Sequence, residues 1–326
     1  MPNRPQADAP PAHATGAERR DDAAHDAPFP PLDPELASAL AALELRLGRA
    51  ASADANPARL GLVAAPLAPG TPWAEARERA LAFRAHEPFT AASTIKVYVL
   101  LALLERVAAG ELALEEELTV RADDLVSGSG VLKALTPGRR YPLLDLATLM
   151  IVVSDNTATN VLIERLGVDA INASIARRGW RGTRLAGKLQ LRAAPGAAPR
   201  SPSVTTPADL ADHFGRLWLG ELLPPELSET ARRIYRQQQL GELGRGIDHD
   251  AYSAEIGEAP WRIASKSGSV RGVRNDAGVF EPLRGGAPYV VAVMTRGCPD
   301  ERFHQENLGA RVVGEAARAV HLRLGG

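Results

Sequence analysis

The chain has 326 residues, 45% of them hydrophobic, and a formal net charge of -1 at pH 7. That length suits one large domain or two smaller ones, and the apolar fraction is enough for a substantial core. A nearly neutral chain lacks the electrostatic field that attracts nucleic acid or anionic membranes, so the charge favours a small molecule or a peptide as substrate. The single cysteine, Cys298, excludes an intramolecular disulfide.

The first part of the chain is rich in Pro, Ala, Asp and Arg and has almost no large apolar side chains. Such a segment cannot offset the entropy lost on ordering, so residues 1–31 are predicted to be a disordered tail. The tail also lacks the apolar stretch of an export signal. A cytoplasmic location is therefore expected as the sequence stands, and a periplasmic or secreted one if the true start differs. No apolar run is long enough to predict a membrane span.

A capped helix follows, with Asp33 as its cap, Pro34 in its first turn and Leu47 near its end. The apolar runs at 59–67 and 80–85 have the lengths of strands. Further helices are predicted over about 93–104, 142–153, 157–166, 169–178, 207–219, 225–239 and 306–324.

Three more strand-like runs near the C-terminus, at 261–267, 276–280 and 289–295, are joined by short segments and predict an antiparallel meander. Because strands lie towards both ends and helices lie between them, the order predicts one sheet built from terminal segments around an inserted helical region. The segments in between are predicted as a connector at 110–120, a flexible turn at 127–130 and a long loop at 181–207 that contains no acidic residue.

Ser93 and Lys96 are the first candidate catalytic pair. Three residues apart at a helix start, they share one face, and the apolar run that follows can desolvate the lysine and lower its pKa. A serine hydroxyl needs such a partner to take its proton. The chain has only four lysines against many arginines, and a lysine kept in such a chain suggests a task that arginine cannot do, such as giving up a proton.

Two short motifs lie downstream of this pair. Ser154-Asp155-Asn156 joins two predicted helices, and Lys266-Ser267-Gly268 ends a predicted strand. Each motif alone is common at a helix cap or a strand end. In this order after Ser93 and Lys96, however, they match the motif set of class A β-lactamases and penicillin-binding proteins. The chain therefore resembles this superfamily of active-site serine enzymes, and is most similar to the class A-like serine hydrolases.

The resemblance implies an α+β fold: an antiparallel sheet flanked by helices, an all-helical subdomain beside it, and the active site between them. On this basis residues 32–326 form the hydrolase domain, with a sheet subdomain at about 32–87 and 207–326 and a helical subdomain at about 88–206. The expected partner is a small-molecule or peptide acyl substrate that bears a carboxylate. No cofactor, metal or nucleic acid is expected, and the oligomeric state is left open.

The resemblance also implies catalytic roles. Ser93 would attack a carbonyl carbon, Lys96 would accept the serine proton, and Ser154 would relay a proton to the leaving nitrogen. The backbone amides of Ser93 and Ser269 would form the oxyanion hole.

Substrate binding is implied at a second set of residues. Asn156 would hold Lys96 and a side-chain carbonyl of the substrate, while Lys266 and Ser267 would bind the substrate carboxylate. Arg271 and Arg274 either strengthen that anionic subsite or are exposed turn residues.

The chain departs from the class A pattern in the loop after the helical block. Class A enzymes carry an acid there that activates the deacylating water, but the stretch 184–192 has no carboxylate. The expected position falls near Leu189 or Gln190, and a glutamine can orient a water without accepting its proton. Glu164, the nearest upstream acid, is predicted to be a solvated surface group. Slow turnover or a persistent acyl-enzyme is therefore expected.

Several alternatives stay open at this point. Lys96 could serve both half-reactions, as in an esterase or peptidase, or Lys188 could reach the site from the loop. The function could accordingly be that of a D-alanyl-D-alanine peptidase or a carboxylesterase. A penicillin-binding sensor that acylates once, or a domain that only binds, is a third possibility.

Overall fold

The computed structural model describes residues 27–49, 57–189, 202–247, 249, 253 and 256–325. Most of the predicted disordered tail, residues 1–31, lies outside these ranges. Its last part includes Phe29, whose ring lies 4.0 Å from the guanidinium carbon of Arg77. This end of the tail therefore has a defined contact with the body of the protein.

Nine strands are found in the described ranges. They are β1 (Arg59–Pro66), β2 (Leu81–Phe83), β3 (Phe89–Thr90), β4 (Glu117–Val120), β5 (Arg139–Pro142), β6 (Val204–Thr205), β7 (Trp261–Val270), β8 (Val273–Pro282) and β9 (Tyr289–Arg296).

Five of these strands form the central antiparallel sheet, in the order β2-β1-β9-β8-β7. The pairing of β1 with β9 runs from Arg59 opposite Arg296 to Pro66 opposite Tyr289. The sheet thus joins a segment from the first third of the chain to the last strand. β7 lies at the edge of the sheet, so one side of its backbone is free of strand partners.

Alternation along the strands gives the sheet two buried faces. In β1, Leu60 and Leu62 point to one side of the sheet and Val63 to the other, and all three are fully buried. Strand β9 repeats the pattern: Val291 packs on the same side of the sheet as Leu60 and Leu62, and Ala292 packs on the same side as Val63. Each such aliphatic side chain contributes about 1.5–3 kcal/mol on burial, so both faces need a helical cover.

Helices supply that cover. They are α1 (Pro34–Leu47), α2 (Trp73–Arg77), α3 (Lys96–Ala108), α4 (Leu143–Val152), α5 (Asn156–Leu166), α6 (Val168–Arg177), α7 (Pro207–Leu219), α8 (Pro225–Arg236) and α9 (Leu308–Leu324). Helices α1 and α9 pack on the face of the sheet that carries Leu62. Helices α3 to α8 pack together on the opposite face, which carries Val63.

The predicted helices are confirmed, with ends shifted by a few residues. Asp33 caps α1 as expected, because its carboxylate accepts a hydrogen bond from the Leu36 amide at 2.9 Å. The short helix α2 was not predicted, since five residues are too few to show a helical period. The C-terminal strands β7 and β8 are longer than predicted, because polar residues such as Ser269 and Asn275 continue them.

Two small strand pairs correct the sequence prediction. The predicted connector at 110–120 ends in strand β4, which pairs with β5. The predicted long loop at 181–207 has ordered ends, because Arg184 bridges to Val204 and β6 pairs with β3. These strands have only two to four residues each, too few to show a hydrophobic pattern, so their pairing comes from tertiary context. The rest of that loop lies outside the described residues.

The predicted α+β class, an antiparallel sheet flanked by helices, is confirmed. Within the described ranges, no helix combines the length and the apolar character needed to cross a bilayer.

Candidate active site

Ser93 lies in a 3-10 turn, Ala92–Ile95, that leads into helix α3. In a 3-10 turn, side chains three residues apart are eclipsed, so Ser93 stands over the same face as Lys96. The turn begins with a strained residue, because Ala92 has a φ of 48°, in the left-handed region. Ser93 and Lys96 therefore lie on the same turn at the start of α3, and their catalytic pairing stays a prediction.

Lys96 is fully buried and holds its amine among polar atoms of the Ser-Asp-Asn motif. Its Nζ lies 2.7 Å from the Ser154 carbonyl oxygen, 3.0 Å from Ser154 Oγ and 3.0 Å from Asn156 Oδ1. Burial lowers the pKa of Lys96 well below its ordinary value, the charge of Lys266 lowers it further, and Asp155 opposes both effects. The lowered pKa favours the neutral form of the Lys96 amine, and a neutral amine can accept a proton.

Ser154 occupies the turn between α4 and α5 with a φ of 53°, a conformation that few non-glycine residues adopt. This backbone turns both the carbonyl oxygen and the hydroxyl of Ser154 towards Lys96. Asn156 begins α5, and its side-chain nitrogen Nδ2 donates to the Ser127 carbonyl oxygen at 3.1 Å. The motif therefore connects Lys96 to the segment 127–130. This segment was predicted as a flexible turn, but a hydrogen bond to Asn156 holds it in place.

Asp155, the middle residue of the motif, holds helix α5 and the loop before Val131 together through its carboxylate. One carboxylate oxygen caps α5 through the Ala158 amide at 2.9 Å. The other accepts the amides of Val131 and Leu132 at 2.6 and 2.8 Å. A side chain at Gly130 would lie 2.3 Å from this carboxylate, so only glycine fits there. Asp155 thus fixes the loop that carries Ser129 into the cleft.

Lys266 is the second fully buried lysine, on edge strand β7. Its Nζ donates to the Ser267 carbonyl at 2.6 Å. Burial lowers the pKa of Lys266 to about 7, and the carboxylate of Asp276 opposes that shift. The charge of Lys266 is therefore sensitive to pH near neutrality.

Gly268 brings strand β7 against the 3-10 turn. A β-carbon at Gly268 would lie 2.9 Å from the Ser93 amide nitrogen and 2.8 Å from that of Thr94. Ser269, the next residue, pairs with Arg274 across β7 and β8. The structure therefore brings the Ser93 amide and the Gly268-Ser269 backbone together, as an oxyanion hole made from these two segments requires.

The two arginines considered for the anionic subsite have different surroundings. Arg271 lies in the turn between β7 and β8, 80% exposed and 3.6 Å from Glu301, which matches the exposed-turn alternative. Arg274 lies inside β8 and lines the cleft. Its guanidinium already donates to the carbonyl oxygens of Val270, Val273 and Arg302, at 2.6–2.7 Å.

The loop after the helical block is held against α5 by Asn160. Its side chain accepts the Leu189 amide at 2.7 Å and donates to the Leu189 carbonyl at 2.9 Å. Lys188 pairs with Glu164 on the protein surface, so the lysine does not reach the site and Glu164 is the exposed group that was predicted. Gln190 lies outside the described residues.

These elements surround a cleft of about 490 Å³ that contains Ser93, Ser154, Ser267 and Ser269. Among the described residues that line it, the sole carboxylate is Glu242, whose side chain is paired with Arg245. Nowhere in the described ranges do three His, Cys, Asp or Glu side chains converge as a metal site would require.

Sequence reasoning missed two supporting residues. Asn160 follows Asn156 by one helical turn, a repeat of amides that was a usable signal. Asp276 is fully buried opposite Ser267 and accepts the amides of Glu242 and Leu243 at 2.6 and 3.1 Å. Burial raises its pKa to about 6. An acid inside an apolar strand was the signal for Asp276, but its partners, on a distant loop, could not be foreseen.

The geometry is suited to nucleophilic acyl chemistry. Ser93 lines the cleft from the turn that leads to the buried Lys96, and the Ser154 hydroxyl contacts the Lys96 amine. Lys266, on the facing strand, is a buried cation when protonated, and a buried cation is the kind of group that binds an anion.

Comparison with known proteins finds β-lactamases, which are enzymes of acyl chemistry. The model of a family described as "Beta-lactamase enzyme family" matches residues 47–324. A β-lactamase of Rhodobacter capsulatus is 30% identical over 286 residues, which are 87% of this chain and 88% of that protein. A β-lactamase of Streptomyces albus G is 29% identical over 282 residues, covering 83% and 82% of the two chains.

Solved structures agree with these sequence matches. The crystal structure of a β-lactamase from Sphaerobacter thermophilus is similar with a TM-score of 0.72 and 31% identity, over 89% of this chain and 97% of that one. A mutant of a protein named PBP-A, in which a leucine is replaced by glutamate, was solved as an acyl-enzyme complex with penicillin G. It is similar with a TM-score of 0.69 and 25% identity, over 92% of this chain and 99% of that one.

Proposed function

This chain belongs to the β-lactamase enzyme family of serine hydrolases, and from that premise we propose that β-lactams acylate Ser93 and that the acyl-enzyme is hydrolysed slowly. One observation carries the proposal. Ser93, Ser154 and Ser269 line one cleft, which supports acylation, whereas the loop residue held by Asn160 is Leu189, which cannot activate a water.

Acylation needs only the residues already described. Ser93 Oγ attacks the lactam carbonyl carbon while the neutral amine of Lys96 takes the hydroxyl proton. The carbonyl oxygen gains negative charge and accepts the amides of Ser93 and Ser269. The C–N bond then breaks, and Ser154, in contact with the protonated Lys96, passes a proton to the leaving nitrogen. The product is an ester on Ser93 and a ring-opened amine.

Lys266 and Ser267 orient the substrate through its carboxylate. Lys266 offers a charge in a buried setting, where an ion pair is stronger than in water, and Ser267 lines the cleft beside it. An incoming carboxylate favours the protonated form of Lys266 and so raises its pKa above about 7. Arg274 adds positive potential but has most of its donors engaged by carbonyl oxygens.

Deacylation lacks a comparable set of groups. The ester must be attacked by water, and a base must take the water's proton. Residues 181–207 contain no acid, and Glu242, the cleft carboxylate within the described ranges, is paired with Arg245. The PBP-A variant with a leucine-to-glutamate change, observed with penicillin G as an acyl-enzyme, supports acylation chemistry in this fold.

Introducing an acid at the clamped loop position tests the proposal. Leu189→Glu should raise the rate of acyl-enzyme hydrolysis at least tenfold, because general-base catalysis contributes about 10²- to 10⁴-fold. Leu189→Gln is the matched control, since it has the same shape but cannot accept a proton. The rates are measured by isolating the penicillin adduct and following its loss by mass spectrometry. If wild-type protein already turns over penicillin rapidly, or if both variants behave alike, the proposed deacylation defect is wrong.

A second candidate is a carboxylesterase or D-alanyl-D-alanine peptidase, and the environment of Lys96 favours it. A lysine with a depressed pKa can act as the base in both half-reactions when the acyl group is small. Steady hydrolysis of carboxylate-bearing esters or D-alanyl peptides, with a lasting adduct only from β-lactams, would identify this candidate.

A further inference from the structure

Two large apolar side chains that line the cleft are exposed. Leu240 is 47% exposed and Phe303 is 67% exposed, and both line the cleft that contains Ser93. Scattered apolar residues are common on protein surfaces. These two differ because they line the same concave site as Ser93, where the other lining side chains are polar.

The loop that carries Phe303 is held in place by partly buried hydrogen bonds. The carbonyl oxygen of Arg302 accepts from Arg274 Nη2 at 2.6 Å and from Asn307 Nδ2 at 2.9 Å. Asn307 also donates to the Asp300 carbonyl at 2.7 Å and caps helix α9. The Phe303 ring lies 4.8 Å from the Arg274 guanidinium carbon. The ring is therefore presented to the cleft by a fixed backbone.

The loop that carries Leu240 is fixed as well. The Leu240 amide donates to the Gln238 side chain at 2.8 Å, and the Gln239 amide donates to the Val152 carbonyl at 3.1 Å. Beyond Leu240, the buried carboxylate of Asp276 accepts two loop amides, including that of Glu242 at 2.6 Å. This side of the cleft is thus attached to the sheet through Asp276.

Both loops border the part of the sheet that holds the carboxylate-binding residues. Asp276 anchors the Leu240 loop and is the β8 partner of Ser267. Arg274, which lies beneath Phe303, is the β8 partner of Ser269. A substrate whose carboxylate reaches Lys266 and Ser267 therefore has its adjoining atoms close to Leu240 and Phe303.

We propose that Leu240 and Phe303 form an apolar subsite that selects acyl substrates carrying an aromatic or aliphatic group next to the carboxylate. The inference rests on the proposed function, because it places the carboxylate at Lys266 and Ser267. An apolar substituent that covers these two side chains removes apolar surface from water, and this burial favours binding. A small substituent covers little of that surface and gains little binding free energy. The subsite sets specificity and takes no part in bond making.

Paired substrates test the subsite. Two cephalosporins with the same acyl side chain are compared, one with a styryl group and one with a methyl group on the ring next to the carboxylate. Phe303→Ala should lower the acylation efficiency of the styryl compound about tenfold and leave that of the methyl compound within about twofold. Phe303→Leu should restore most of the loss. Leu322→Ala, which removes a side chain 64% exposed on α9, is the matched control. An equal effect on both compounds, or none, overturns the proposal.

A probe that cannot acylate Ser93 separates this inference from the proposed function. Biphenyl carboxylate carries the acid and the aromatic group but no bond for Ser93 to open. It should bind wild-type protein at least about fivefold more tightly than Phe303→Ala in an NMR titration. Such a difference supports the subsite even if β-lactams fail to acylate the protein. Equal affinities overturn the subsite even if acylation is observed.

Discussion

Two lysines, Lys96 and Lys266, are fully buried, and the task proposed for Lys96, accepting a proton, is one that arginine cannot perform. Lys96 and Lys266 both have lowered pKa values because burial penalises the charged amine, and the charge of Lys266 adds to the effect on Lys96. An arginine would keep its proton in either place. The charge of one lysine thus helps to keep the other neutral, so a base and an anion-binding group can coexist at neutral pH.

The pKa of Lys266 predicts a pH dependence that differs between substrates. Lys266 is charged below its pKa of about 7 and neutral above it, so its attraction for a carboxylate declines as the pH rises through that value. The acylation efficiency of a carboxylate substrate, divided by that of its methyl ester, should therefore fall between pH 7 and 9 by about tenfold or more. Taking the ratio cancels the titration of Lys96. A ratio independent of pH would mean that Lys266 does not bind the carboxylate.

Replacing Lys96 by arginine tests the proton acceptor. Lys96→Arg keeps a cation among the same acceptors but cannot take the serine proton, so acylation should slow by about 10³-fold. The rate of adduct formation with a penicillin provides the measurement. Lys133→Arg, on the exposed surface, should leave the rate unchanged. Near-normal acylation of Lys96→Arg would assign the base to another group.

At the scale of the elements, the site depends on the contact between strand β7 and the 3-10 turn that carries Ser93. The edge position of β7 leaves one side of its backbone free, and Gly268 lets that side approach the Ser93 amide. Ala92 and Ser154 hold left-handed conformations on the turns that carry the reacting side chains. Backbone strain is therefore concentrated where the groups of the cleft meet.

A methyl group at Gly268 should disrupt this contact. In Gly268→Ala the new carbon would lie 2.8–2.9 Å from backbone atoms of the turn, so the turn and strand must separate. Acylation should fall by about 10²-fold, the usual effect of losing one oxyanion donor. Ser269→Ala is the control, since it keeps its backbone amide and should acylate within a few-fold of wild type. Rapid acylation by Gly268→Ala would contradict the assigned oxyanion hole.

Regular elements and the motif residues could be predicted from the sequence, but their supports could not. The long helices carry apolar periods, strands such as β1 and β9 are continuous apolar runs, and the order of these elements predicted the sheet. Strands β3 to β6 have no such pattern, because pairing with distant segments creates them. Asp276 and Phe303 act through contacts between loops far apart in sequence, and no local pattern reports such contacts.

At the scale of the whole molecule, a buried polar network joins the helical region to the sheet region behind the cleft. Tyr98 on α3 contacts the Thr205 hydroxyl at 3.0 Å, and Thr205 contacts Thr183 at 2.7 Å. Thr183 donates to the carboxylate of Asp209 on α7 at 2.6 Å. Thr183 and Thr205 stand on the two sides of the segment that contains Leu189, so the network joins its two sides.

Removing one hydroxyl from this network should destabilise the protein without affecting chemistry. Thr183→Val leaves a buried carboxylate oxygen with one donor fewer, which costs about 1–3 kcal/mol. Urea unfolding measures the loss, and Thr230→Val, on the outer side of α8, should change stability by less than about 0.5 kcal/mol. Unchanged stability of Thr183→Val would show that the network contributes nothing net.

The most direct test of the central claim is intact-protein mass spectrometry after mixing with penicillin G, with Ser93→Ala as the control. The account predicts that wild-type protein gains the mass of one penicillin, that the adduct persists long after free penicillin is removed, and that the Ser93→Ala variant gains nothing. An adduct of equal yield on Ser93→Ala would contradict the assignment of the nucleophile. Rapid consumption of penicillin by wild-type protein with no lasting adduct would contradict slow deacylation.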